Sequence, residues 1–151
     1  MLRSFLTLFA LSTFLVACAA PEPRFGPDGQ PLPQVYRLSD RDAAKVQFRM
    51  LEGINTLRQV RGAQPVEISA ELTAAAKTHA RDMSVQNRPW HFGSDGSNPI
   101  ERASRAGYTG RLLGENISET FETELETLSA WMETVETREV ILDKRAGDMG
   151  F

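Results

Sequence analysis

One cysteine, Cys18, and two histidines, His79 and His91, are all that the 151 residues offer of the side chains best suited to cross-links and soft metal sites. A single cysteine excludes an internal disulfide framework and any cysteine-rich zinc site. No Gly-x-Ser-x-Gly turn is present to display a serine nucleophile. Charge of one sign is not concentrated anywhere either. The 17 basic and 20 acidic residues give a net charge of -3, with Lys and Arg scattered. This is not the footprint of a nucleic-acid binder, and nucleic acid is set aside as a partner. With 41% hydrophobic and 25% charged residues the chain supports one ordinary core and hardly two, so a single globular domain is expected.

The longest apolar run, Phe5 to Val16, is interrupted only by Thr7, Ser12 and Thr13 and follows the positive Arg3. It is too short to span a bilayer comfortably and reads as a signal peptide over residues 1–17. Leu15-Val16-Ala17-Cys18 matches a bacterial lipobox, in which a lipidated cysteine becomes the first mature residue. The alternative is an ordinary secretory signal with Cys18 as an apolar passenger. A lone cysteine in an exported chain has no internal partner, which favours lipidation and anchorage to the membrane. Ala19 after the cysteine, instead of an acidic residue, fits the outer-membrane pattern on its periplasmic side. Five of the eight prolines then fall between Ala19 and Pro33, and residues 18–38 read as an extended, solvated tether.

Residues 39–151 carry the folded domain. Ser39 is placed to cap a first helix, with Asp42 at its third position and a stripe of Ala43, Val46, Met50, Ile54 and Leu57 that stops near Gly62. Val66-Glu67-Ile68 suggests a short extended piece. Ser69 caps a second helix with the stripe Leu72, Ala76, His79 and Met83. Asn98, Pro99 and Glu101 open a third, which Gly107 is placed to end. A fourth is predicted from Phe121, Leu125, Leu128, Met132 and Val135, with its acids, Glu124 among them, on a solvated face.

Chemistry concentrates between His91 and Ile117. His79 lies on an apolar helix face, where a histidine is more often a packed core residue than a ligand. His91 stands outside any helical period, before the Gly93-Ser94-Asp95-Gly96 turn, and is free to face a cleft. Glu115 sits in an apolar context, Leu112-Leu113-Gly114 before it and Asn116-Ile117 after, where a carboxylate needs a partner. It reads either as a loop-bracing carboxylate or as a functional group.

Taken in order, Asn55-x-x-Arg58-x-x-x-Gly62, Leu72, Ala76, His79-Ala80-x-Asp82-Met83, His91-x-Gly93-Ser94-Asp95-Gly96, Arg102, Gly107-Tyr108, Gly114-Glu115-Asn116-Ile117 and Trp131-Met132 resemble the CAP superfamily. That superfamily comprises cysteine-rich secretory proteins, antigen 5 and pathogenesis-related 1, and the likeness is to its bacterial SCP-like extracellular branch. It runs from about Val46 to Phe151. The resemblance implies an α+β fold, a helix-rich α-β-α sandwich around a small antiparallel sheet, with a cavity lined by histidines and glutamates. It places His91 and Glu115 in that cavity. Two departures stand out. Thr137-Arg138-Glu139-Val140-Ile141-Leu142 replaces the family's His-Arg-x-Asn-Ile-Leu, which removes a second cavity histidine. The family also continues past the equivalent of Phe151 with another strand, expected to be missing from this sequence.

The function expected from these residues is that of a lipid-anchored extracytoplasmic domain that binds a lipid, an envelope glycan or a divalent metal without turning it over. One alternative is a hydrolase using His91 and Glu115; another is a structural envelope protein. Zinc, held weakly by His91 and Glu115, is the one cofactor the residue types suggest, although a catalytic zinc site normally has three protein ligands.

Overall fold

In a computed structural model the described residues are 39–151, with Pro27 and Gly29. The signal peptide, Cys18 and nearly all of the tether lie outside the described residues. The chain divides into two units at Gln34–Val35, and the fold that follows is that of the second.

Ser39 opens α1 (Asp40–Val60), its amide and hydroxyl both donating to the Asp42 carboxylate. The predicted stripe is the buried face, with Val46, Met50 and Ile54 inside. After the turn at Gly62 the chain enters β1 (Glu67–Ile68), then α2 (Ala70–Gln86), whose Leu72 amide is capped by the Ser69 hydroxyl at 3.1 Å. Next comes α3 (Pro99–Arg105), which has the expected capping box: the Asn98 side chain accepts from the Glu101 amide and the Glu101 carboxylate from the Asn98 amide. Gly107 takes the left-handed conformation (φ +92°) that ends it. Two further helices, α4 (Glu124–Glu133) and α5 (Val135–Leu142), lead to β2 (Asp148–Met149).

Helix α1 packs on α4 and α5, while α2 packs on α3. The core is Met50, Ile54, Val66, Leu128 and Ile141, with Trp131, Met132, Met149 and Phe151 against it. The strand pair touches both helix groups because successive residues face opposite ways. Met149 and Phe151 turn to the core, whereas a Cβ on Gly150 would come within 2.1 Å of the Leu72 backbone on α2.

Two expectations need correction. The pair β1–β2 is parallel, with Glu67 opposite Asp148 and Ile68 opposite Met149, so these strands do not form the antiparallel sheet that the resemblance implies. Arg58 supplies the reason: its guanidinium binds the carbonyls of Gln64 and Ala146, at 2.8 and 2.9 Å, just before each strand. Both strands therefore leave the same point and run the same way, and the helices between them make the long crossover that parallel pairing needs.

The predicted fourth helix is two helices. Thr134 is extended (φ -90°, ψ 136°), and Phe121, Leu125 and Val135 from the predicted stripe are exposed. Side chains take over at the break, with the Thr137 hydroxyl donating to the Trp131 carbonyl at 2.6 Å and Arg138 to the Met132 carbonyl at 3.0 Å. The last carbonyls of α4 are thus satisfied without another helical turn. The buried side of α4 is Glu124 and Leu128, and Glu124 is not solvated but pairs with Arg49. The Arg49 hydrogen bond holds its carboxyl below the usual carboxylate range.

Candidate functional site

Asn87, left-handed at φ 50°, ends α2 and turns the chain into the loop that carries His91. Four side chains, His79, Asp82, Arg102 and Arg105, fix this loop from two helices. From α2, His79 Nε2 lies 2.8 Å from the Trp90 carbonyl, and the Asp82 carboxylate accepts from the Ser94 amide at 2.7 Å. The Ser94 contacts lower the Asp82 pKa. From α3, Arg102 Nη1 donates to the carbonyls of His91 and Ser97, each at 2.9 Å. Within the loop Asp95 accepts from the Ser97 amide at 2.9 Å and pairs with Arg105, and its carboxyl is held far below the ordinary range by these contacts, that with Ser97 foremost.

Glu115 lies on the segment that joins α3 to α4. Its position depends on Gly114, where a Cβ would come within 2.7 Å of the Val140 side chain on α5. The neighbouring Asn116 side chain donates to the Thr137 carbonyl at 2.9 Å, and Trp131 Nε1 donates to the Ile117 carbonyl at 3.3 Å. Thr137, standing where the resemblance predicts a histidine, thus meets the Gly-Glu-Asn segment through its backbone.

The fold brings His91 and Glu115 together, with His91 Nδ1 3.0 Å from Glu115 Oε1. A carboxylate only accepts, so Nδ1 carries the proton and, in the neutral ring, Nε2 keeps a free lone pair. The pair is not isolated, because Arg102 Nη2 donates to both Glu115 oxygens at 2.8 Å. Such charge-assisted bonds fix the carboxylate firmly. The His91 side chain is 47% exposed, against 21% for Glu115.

Behind the pair lies a cavity of about 930 Å³, whose apolar lining includes Leu72, Ala76, Met83, Leu113, Trp131 and Ile141. Glu115, Arg102 and His79 also line it, whereas His91 does not. The histidine that lines this cavity is His79 of α2, while His91, paired with Glu115, stands on the more exposed side of the polar cluster. The sequence alone ranks His79 as a core residue and shows Arg102 only as part of a motif. A basic residue beside Ala103 on a short helix, capped at the loop it must hold, is the available signal.

A zinc ion does not fit here. Both Glu115 oxygens already serve Arg102, whose positive charge would face the metal, and among the described residues no three His, Cys, Asp or Glu side chains are grouped to hold one. Two ligands also fall short of a zinc coordination set.

With this geometry in place, the likeness to known proteins is specific. The family described as CAP: Cysteine-rich secretory protein family matches residues 51–151, and the chain belongs to it. The uncharacterized protein YkwD of Bacillus subtilis (strain 168) is 28% identical over 102 residues, which make up 68% of this chain and 40% of that protein. This chain therefore spans less than half the length of that relative. Two solved structures share the fold at 18% identity and a TM-score of 0.66. An outer surface protein from Borrelia burgdorferi matches over 78% of this chain and 84% of its own. An extracellular protein containing a SCP domain from Bacillus anthracis str. Ames matches over 76% of this chain and 40% of its own.

Proposed function

We propose that this is an exported, lipid-anchored CAP-domain protein that binds a small, largely apolar ligand without turning it over. The observation that carries the reading is the cavity of about 930 Å³, a size typical of small-molecule sites, lined largely by apolar side chains around a carboxylate that Arg102 already neutralises. Such a site offers binding surface and little chemical drive. Ser97, the serine closest in sequence to Arg102 on the loop side, is buried and cannot meet a substrate as a nucleophile. Export is supported by the N-terminal apolar run and by the two structural neighbours, an outer surface protein and an extracellular protein. Anchorage is supported by Leu15-Val16-Ala17-Cys18.

Trp131 lines the cavity, so energy transfer from it to bound N-phenyl-1-naphthylamine, measured in a Trp90→Phe background, tests the reading. Saturable one-to-one transfer is expected, and none up to the solubility limit of the dye removes the proposal. Separately, Cys18→Ala should shift the protein from the membrane to the soluble fraction. Identical fractionation with no acyl mass on the parent would end the anchorage reading.

One observation favours a hydrolase instead. The His91–Glu115 pair leaves Nε2 as an oriented, solvent-facing base, the arrangement used in general-base catalysis. Turnover of p-nitrophenyl esters that disappears in His91→Ala would replace the binding reading with this one.

A further inference from the structure

Helix α2 buries Leu72 and His79 on its inner side. On the opposite side Lys77, Arg81 and Val85 recur at intervals of four, so each stands beside the next on the helix surface. All three are exposed, Val85 by 82%. Neither cation has a carboxylate partner among the described residues. Asp82, beside Arg81 in sequence, is engaged elsewhere, by the Ser94 amide at 2.7 Å and the Gln86 side chain at 2.9 Å.

This face continues into the loop after the helix. The Arg88 amide donates to the Met83 carbonyl at 3.0 Å, which keeps Arg88 on the last turn of α2, and its guanidinium lies 3.7 Å from the centre of the Trp90 ring. Trp90 in turn meets Phe92 edge-on, with ring centroids 5.4 Å apart. Both rings are exposed, by 42% and 45%. Their backbone is not free to fold them inward, because His79 holds the Trp90 carbonyl and Arg102 the His91 carbonyl. Two aromatic rings fixed in water beside a row of cations match the chemistry of a bilayer interface, where rings sit at headgroup level and basic side chains meet phosphates.

We propose that this face docks on the surface of an anionic phospholipid bilayer, with Trp90 and Phe92 among the headgroups and Lys77, Arg81 and Arg88 towards the lipid phosphates. The proposal rests on the anchorage reading above and adds an orientation to it. A tether over residues 18–38 keeps the domain within about 65 Å of the bilayer even as a polyproline helix, so weak docking suffices. Charge selects the side that approaches. The chain as a whole carries a net charge of -3 and is repelled by an anionic surface, so a face of cations without carboxylate partners is the one that can draw near. A neutral glycan would gain from the rings and nothing from the cations.

The test reconstitutes the full-length protein into vesicles whose lipids carry brominated acyl chains, either a phosphatidylglycerol and phosphatidylcholine mixture or phosphatidylcholine alone. The chain has two tryptophans, and Trp131→Phe leaves Trp90 as the reporter. Trp90 does not line the cavity, so its emission follows the bilayer and not a lipid bound there. Quenching is expected in the anionic vesicles and not in the neutral ones. Arg81→Ala should lower the ratio of docked to undocked protein about fivefold, and Lys77→Ala with Arg81→Ala about 25-fold. The same lipid comparison in the unsubstituted protein covers the case that Trp131→Phe does not fold. Protein that floats with the vesicles while Trp90 stays unquenched overturns the docking and leaves the anchorage standing. Equal quenching in both lipids and in the alanine variants overturns the role of the cations and with it the proposal. Retention on peptidoglycan sacculi without quenching assigns the face to a glycan and overturns it likewise. Protein that does not float with the vesicles at all removes the anchorage and the docking together.

Discussion

Among the described residues two arginines are buried, and they are used differently. Arg58, fully buried on α1, spends its hydrogens on backbone carbonyls, those of Gln64, Ile141, Asp143 and Ala146, at 2.8 to 2.9 Å. Arg102, on α3, divides its own between two carbonyls and the carboxylate of Glu115, and its buried Nε–H has no hydrogen-bond partner among the described residues. The first joins the end of α1 to the end of α5 and to the starts of both strands, where uncapped carbonyls would otherwise be buried. Burial draws its pKa below the ordinary arginine value, partly opposed by the Asp143 carboxylate. The second holds a loop and a side chain in place. A cation satisfied wholly by backbone joins elements of the scaffold, whereas one shared between backbone and a carboxylate ties a loop to a single side chain.

The sharpest way to break this contrast is to remove the scaffold arginine. Arg58→Met should cost about 3–5 kcal/mol, because four carbonyls lose their donor at once and no water can replace it. Urea denaturation measures this, and a loss under about 1 kcal/mol would show that those carbonyls find other partners. Arg102→Met should cost less, about 2–3 kcal/mol, since Glu115 and the His91 loop can turn to solvent. Its distinguishing result is local: amide exchange should quicken around His91 and Ser97 before the core opens, while Arg58→Met quickens the core itself. Uniform exchange in both variants would erase the difference.

Smaller changes sharpen the comparison from the Glu115 side. Gly114→Ala forces a methyl against Val140 and should cost about 1–3 kcal/mol, with much of that recovered in Gly114→Ala, Val140→Ala. Equal stability of the double variant and the single one would place the strain elsewhere. The mildest test is pH. Asp82 has a lowered pKa in the folded protein, so its contribution is complete above its unfolded value, about 4, and is lost as pH falls through the folded value. Ser94 amide protection, corrected for intrinsic rates, should therefore fall as the pH drops below about 4, and Asp82→Asn should flatten that fall.

Much of the scaffold is legible because it is written in local patterns. The stripe of α1, the Ser69 cap, the Asn98–Glu101 box and the Gly107 stop all appear where short-range rules put them. The stretch from Phe121 to Val135 is not, since its apolar spacing suits a continuous helix. The actual break at Thr134 is made by Thr137 and Arg138 reaching back to α4 carbonyls, and the buried Glu124 depends on Arg49, far away in sequence. The pairing of His91 with Glu115 follows from family likeness, but their Arg102 partner and the position of His91 outside the cavity do not.

By itself the sequence determined the starts of α1, α2 and α3, the stops of α1 and α3, the family, and the two residues that would meet across the loop, because capping, periodicity and motif order act over a few residues at a time. Only the tertiary structure decided that the strands run parallel, that His79 lines the cavity, and that Arg102 takes both oxygens of Glu115. Each of these depends on where a buried hydrogen-bonding group finds its partner, and for Arg58, Arg102 and His79 those partners are mostly backbone carbonyls, which every residue has and no sequence pattern marks.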